Sequence, residues 1–295
     1  LCIISHWQVL MKQRLFFVLF SFIVITACLT PQLQTETATP PVVTPSPIST
    51  SNADSLSSLV VCLGQEPNTL YPFGELNEAA RSVLAAIYDG PVDTVGYEYQ
   101  PVILTRIPSL ENEEAQIVRT PVQDGTQVLD ADGNLASLES GVRIRPAGCR
   151  SDDCVITYDG TTSIEMDQMV VTFRLRPDLT WSDGTPLTAD DSVFAFELAS
   201  EPDAIGDPYL IDRTQTYEAA DEKTLQWWSL PGFIDPTYFT NFWAPAPRHV
   251  WSEFPADQLK TVDIASRSPI GWGSYMVEEW VAGDHITLTK NPYYF

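Results

Sequence analysis

The chain has 295 residues, 44% of them hydrophobic and 19% charged, enough for one sizeable packed body or two smaller ones. Acids outnumber bases 39 to 16, a formal net charge of −23. That balance argues against nucleic-acid binding and against electrostatic docking on anionic lipid, and it favours cationic or neutral small partners over anionic ones.

Residues 1–10 precede the first Met and carry no targeting pattern, so they read as a non-native upstream extension. Met11 to Arg14 is a short basic stretch. Leu15 to Ala27 is apolar and uncharged, with the length of a signal-peptide core rather than a bilayer span. It ends in Ile25-Thr26-Ala27-Cys28, which has the form of a lipobox: a branched apolar residue, two small ones, and a cysteine that takes lipid and becomes the new N-terminus. Residues 11–28 are therefore expected to be a lipoprotein signal peptide with Cys28 as the lipidation site; the bland alternative is a cut nearby with Cys28 incidental. Residues 29–58 are rich in Thr, Pro and Ser, cannot build a core, and read as a disordered linker.

The folded body is expected from Leu59. Leu59 to Leu63 is a continuous apolar run that reads as a buried strand, with Cys62 a buried thiol. A loop with two prolines follows, from Gly64 to Pro72. Next comes a helix capped by Asn77, with Val83, Leu84, Ile87 and Tyr88 on one face and Gly90 beyond its end. Residues 96–168 hold many turn signals and read as short hairpins. Cys149 and Cys154 (CRSDDC) lie in a polar loop where a small disulfide ring is expected; no further ligands are near for zinc. Val128 to Glu139 resembles a calcium loop in spacing. Val128 offers no side-chain oxygen at the first ligand position, so a solvated turn is the better reading.

Met169, Val171, Phe173 and Leu175 alternate with polar or outward residues as in a half-buried strand. Trp181 anchors the return, Asp183-Gly184 makes a tight turn, and Thr188 with Asp191 approximates a capping box for a helix that buries Val193, Phe194 and Leu198. Asp183, Asp190 and Asp191 could form a carboxylate site, but turn and helix-start acids are far commoner. Lys223 to Leu230 reads as a strand with Trp227 and Trp228 on opposite faces. Asp235-Pro236 is expected to start a helix with Tyr238, Phe239, Phe242 and Trp243 at helical spacing. Ser274 to Val281 and His285 to Lys290 read as a hairpin across Ala282-Gly283-Asp284.

Four stretches, in order, carry a family resemblance. "LGQEPNTLYPF" (Leu63 to Phe73), "TFRLRPDLTWSDGTPLTADDSVFAFE" (Thr172 to Glu197), "APRHVW" (Ala246 to Trp251) and "SPIGWGSYMVEEWVAGDHITLTKNPYYF" (Ser268 to Phe295) resemble the family 5 extracellular solute-binding proteins. These are the receptors of oligopeptide, dipeptide and nickel ABC importers. Trp272 departs from the small residue usual at its position, and Ser274 from the usual Pro. The resemblance implies a mixed α/β (α+β) fold: a type II periplasmic-binding-protein lobe from residues 59–92 and 214–295, and a β-rich accessory subdomain from residues 93–213. It also implies that the second lobe of the family is missing and that the chain is a fragment.

The resemblance further implies a lipid-anchored receptor on the outer face of the cytoplasmic membrane. It would capture a small solute, with peptide the first expectation, and deliver it to ABC permease subunits. Membrane contact would come through the anchor, with no nucleic-acid partner and no cofactor. Glu66 and Asn68 are candidates to hydrogen-bond a ligand backbone or amine; Tyr71, Trp228 and Trp272 are candidates to stack on side chains or sugar rings. Oligosaccharide cargo and a surface sensor or adhesion role are the rivals. An exported hydrolase fits less well: beyond residue 28 the only histidines are His249 and His285, with no His-Glu-x-x-His helix and no Gly-x-Ser-x-Gly elbow.

Overall fold

The computed structural model describes residues 58–202, 204 and 208–295. The signal peptide, Cys28 and nearly all of the linker lie outside the described residues.

The first element is α1 (Glu78–Ile87). The Asn77 side chain accepts the Ala80 N–H at 2.9 Å, satisfying one orphan donor of the first turn. Ala80, Val83, Leu84 and Ile87 form its buried stripe. A hairpin follows, β1 (Val92–Val95) with β2 (Glu98–Pro101). Then come β3 (Ala115–Val122), the small hairpin β4 (Gln127–Leu129) with β5 (Leu135–Ser137), and the pair β6 (Arg143–Ile144) with β7 (Ile156–Thr157). β8 (Ile164–Arg174) is the longest strand. Helix α2 (Ala189–Ala199) leads to β9 (Thr214–Asp221) and β10 (Thr224–Ser229). Three single-turn helices, α3 (Arg248–Trp251), α4 (Ala256–Leu259) and α5 (Asp263–Ser266), precede the hairpin β11 (Tyr275–Val281) with β12 (His285–Lys290).

The central sheet has the order β3-β8-β10-β9, antiparallel throughout. Its inner face carries Met169, Val171, Phe173, Leu225 and Trp227, all within 1% of full burial. The period-2 alternation in the sequence is this face. Trp181 and Leu187 complete the same core. Trp181 also donates its indole N–H to Asp191 at 3.2 Å. Asp191 accepts the Thr188 N–H at 2.8 Å, so the capping box forms with Asp in place of the usual Glu or Gln. Burial raises the Asp191 carboxyl above its ordinary range. The acids Asp183 and Asp191 are structural: Asp183 accepts the Thr185 N–H at 2.9 Å and meets His249 Nε2 at 2.9 Å.

A second cluster joins α1 to the last hairpin. Leu70, Val83, Leu84 and Ile87 pack against Val277, Trp280, Ile286 and Leu288. α1 alone is too short to be stable in water, so this packing is what holds it. Gly271 and Gly273 let the chain cross the end of α1 at very close range. A Cβ at Gly271 would stand 1.9 Å from the Ile87 carbonyl oxygen, and Gly273 N–H donates to that oxygen at 2.8 Å.

Three expectations need correction. Leu59 to Leu63 is not a buried strand: Leu59, Val60 and Val61 are 87%, 84% and 67% exposed, because no strand among the described residues lies beside them. Cys62 is accordingly an exposed thiol. The aromatic stripe after Asp235-Pro236 does not form a helix. The Asp235 carboxylate accepts from the Thr237 N–H, the Thr237 hydroxyl and Asn241 Nδ2 at 2.7–2.9 Å, which closes the chain into one 3-10 turn, Tyr238–Thr240. Pro245 and Pro247 then block any continuation. Residues on both sides of position 213/214 share one sheet, because β9 hydrogen-bonds through β10 to β8.

Candidate functional site

The loop after residue 63 is folded by its own polar side chains. Asn68 Oδ1 accepts the Asn77 N–H at 3.1 Å, and Asn68 Nδ2 donates to the Glu75 carbonyl. Asn77 Nδ2 donates to the Glu66 carbonyl at 2.8 Å. The same Asn77 therefore caps α1 and pins the loop to the start of that helix. The far side of the loop is tied by the Leu70 N–H to the Ser266 carbonyl at 2.7 Å.

Between this loop, the segment from Lys260 to Arg267 and the end of β11 lies an open groove of about 370 Å³. Glu66, Asn68, Lys260, Ser266, Arg267 and Trp280 are among its walls. Glu66 Oε1 accepts the Trp280 indole N–H at 2.7 Å and the Gly283 N–H at 3.1 Å. Those two donors hold the exposed Glu66 carboxyl below the usual carboxylate range. Arg267 donates from Nη2 to the Trp280 carbonyl at 3.2 Å and lies 5.0 Å from the Trp280 ring centroid. The groove thus has a mixed-charge wall whose side chains are held in place by one another. It can bind a polar solute non-covalently.

The structure brings two of the five expected ligand residues, Glu66 and Asn68, to this groove. Tyr71 is buried beside it, ring centroids 5.6 Å from Phe73 and from Trp251. Burial, and then the nearby Glu201, push its phenol up to about 12. It borders a separate cavity of about 60 Å³ with Phe73, Leu198 and Ala256. Trp228 is half-buried on the sheet face opposite Trp227 and does not line the groove. Trp272 is 2% exposed. Its indole N–H donates to the Asp89 carbonyl at 2.6 Å, and its ring lies 4.8 Å from Tyr88 and 5.4 Å from Trp181. The expected stacking role for Trp272 is therefore corrected to a core role, since both its ring and its donor are occupied.

Lys260, Arg267 and Trp280 are groove residues that the sequence reading did not single out. Trp280 was legible only as a strand residue, and the cations stand among turn residues with no pattern of their own. Away from the groove, Cys149 and Cys154 are joined by a disulfide with Cα atoms 5.6 Å apart. In the calcium-like stretch, Asp130 Oδ1 accepts the N–H groups of Asp132 and Asn134 at 2.8 Å, and Asp132 pairs with Arg143 at 3.2 Å. Those oxygens serve the turn.

Residues 158–295 match the family described as bacterial extracellular solute-binding proteins, family 5 Middle. This segment is similar to the family 5 solute-binding proteins. The family 5 likeness extends to curated relatives. The oligopeptide-binding protein AppA of Bacillus subtilis is 29% identical over 129 residues, 41% of this chain and 23% of that protein. A probable ABC transporter-binding protein of Deinococcus radiodurans is 26% identical over 140 residues, 43% of this chain and 24% of that protein. The chain thus spans about a quarter of the length of these relatives. The fold is similar to the crystal structure of an oligopeptide-binding protein from Thermus thermophilus complexed with a pentapeptide, with a TM-score of 0.51 at 16% identity over 78% of this chain and 36% of that one. The fold observed, mixed α and β, is similar to part of that structure. No helix among the described residues is long and apolar enough to cross a membrane.

Proposed function

We propose that this chain is cargo-capturing sequence of an extracytoplasmic receptor that serves an ABC importer, with peptide as the cargo. The observation that carries the reading is the family match over residues 158–295. The printed names of the relatives, which include oligopeptide-binding and ABC transporter-binding proteins, support it. In this reading the groove at Glu66 and Asn68 is the part of the cleft that this chain supplies. Residues 59–92 and 214–295 form the first lobe, residues 93–213 the accessory region, and the shared sheet couples the two. Capture is by hydrogen bonds and enclosure, with no bond made or broken and no cofactor needed. Cys28 carries the lipid that holds the receptor at the outer face of the cytoplasmic membrane, and the linker after it gives the folded body reach. The permease subunits of the importer are its protein partners.

Uptake measurements test this directly. The gene is disrupted in its host, and cells are offered labelled pentapeptides and, in parallel, a labelled oligosaccharide. Loss of peptide uptake, restored by the intact gene, supports the reading. Loss of oligosaccharide uptake alone replaces peptide by sugar. Unchanged uptake of both overturns the importer role.

A further inference from the structure

The cavity of about 60 Å³ beside Tyr71 is walled by two kinds of side chain. Tyr71, Phe73, Leu198 and Ala256 make its apolar side, and the exposed acids Glu201 and Asp257 stand at its rim. It shares Lys260 with the groove and none of the groove's other walls. Lys260 has a partner of its own.

Tyr71 is 4% exposed, yet its hydroxyl has no hydrogen-bond partner among the described residues. A buried hydroxyl left unpaired costs free energy, so it stands ready for a partner that enters the cavity. Glu201 is close enough for its charge to act on that hydroxyl. Neither Glu201 nor Asp257 pairs with a Lys, Arg or His among the described residues. The cavity also lies at the C-terminal end of α2, where the helix dipole is negative and no basic residue stands in the last turn. The Tyr71 and Phe73 rings meet at 56°, with centroids 5.6 Å apart, and form an aromatic corner.

We propose that this cavity is a second binding site, separate from the groove, for a small alkylammonium ion. The alkyl part packs on Phe73, Leu198 and Ala256. The ammonium group donates to the Tyr71 hydroxyl oxygen and faces the Glu201 and Asp257 carboxylates. Aromatic faces, free carboxylates and a helix C-terminus all favour a cation, and an apolar wall favours one that carries hydrocarbon. The volume exceeds the ~10–15 Å³ that a single water needs and is far below the groove's 370 Å³, so a short amine fits and a peptide does not.

The test titrates the full-length protein with n-butylammonium chloride, followed by the indole and backbone N–H signals in NMR. 1-Butanol and sodium chloride are the neutral and simple-cation controls. n-Butylammonium is expected to bind about tenfold more tightly than 1-butanol and to shift Trp251, whose ring lies 5.6 Å from Tyr71. Tyr71→Phe keeps the ring and should weaken binding about threefold. Glu201→Gln, at an exposed position, should weaken it by about the same factor even if the first variant folds poorly. Equal affinity for the amine and the alcohol overturns the inference. So does an affinity that neither substitution changes, because the cation then sits elsewhere on an acidic surface. Sodium giving the same shifts as n-butylammonium overturns it too, by reducing the effect to general charge attraction.

Discussion

Trp272 donates its indole N–H to the backbone carbonyl of Asp89, 2.6 Å away, across 183 residues of sequence. The bond closes the gap between the end of α1 and the segment before β11. The ring itself is sandwiched by Tyr88 and Trp181. Replacing it with Ala removes the bond and opens a large cavity. Trp272→Ala is expected to cost about 3–5 kcal/mol of stability in urea titration. A variant that unfolds like the parent but loses ligand affinity would return Trp272 to the binding site.

Gly271 offers a sharper test of the same crossing. A methyl there would overlap the Ile87 carbonyl oxygen, an atom of the helix backbone that cannot step aside. Gly271→Ala should destabilise by at least ~3 kcal/mol, or prevent folding. Gly64, whose added Cβ would meet nothing within 4 Å, is the control, and Gly64→Ala should stay within ~0.5 kcal/mol of the parent. Similar thermal midpoints for the two variants would refute the close approach.

His285 reports on the last hairpin. Hydrogen bonds that the ring donates to Asp284 and then to Glu279 raise its imidazole above the ordinary value, since both carboxylates stabilise the protonated ring. A group whose folded pKa is raised lends stability below its unfolded pKa and withdraws it as pH rises through the folded pKa. The hairpin should therefore loosen slightly on going from mildly acid to mildly alkaline solution. An NMR titration of the His285 ring is expected to show a midpoint above about 6.5. Asp284→Asn together with Glu279→Gln should lower it. An unchanged midpoint in the double variant would remove both carboxylates as the cause.

The Cys149–Cys154 bond closes a ring of six residues, with Arg145 bonded to Ser151 and Asp152 within it and Arg150 reaching Asp167 on β8. A ring that short still restrains the unfolded chain, and replacing both cysteines by Ser should cost about 2 kcal/mol. Matched denaturation curves for the parent and the double variant would show that the bridge contributes nothing.

Cys28 can be tested without a structure. If it bears the anchor, Cys28→Ser moves the protein from the membrane fraction to the soluble fraction and abolishes incorporation of labelled fatty acid. Persistent membrane association of the variant would sink the lipobox reading.

Local signals survived the passage from sequence to fold where the physics is local. The Asn77 cap, the Thr188–Asp191 box and the hairpin across Ala282-Gly283-Asp284 each depend on a few neighbouring residues. The alternation in β8 was legible because one face of that strand is fully covered. Leu59 to Leu63 failed because burial of an apolar run needs a partner strand, and that need is invisible in the run itself. The stripe from Tyr238 to Trp243 failed because Asp235 offered the backbone a better local hydrogen-bonding arrangement than a helix. At the groove, the loop acids and amides could be guessed from their place after an apolar run. Arg267 and Trp280 could not, because what matters about them is their contact with each other and the bond from Trp280 to Glu66, partners far apart in sequence.

The crossing at Gly271 and Gly273 also sets an order of events. α1 spans Glu78–Ile87, yet the surface it packs on is made by residues from Leu70 and from Val277 to Leu288. The Thr69 and Tyr88 side chains reach carbonyls 197 and 182 residues further on. Contacts of that separation are slow to find, because the intervening chain must first be drawn together. A ribosome has therefore to reach Leu288 before α1 can settle on its full packing surface. Until then α1 waits for a partner that has not yet been made.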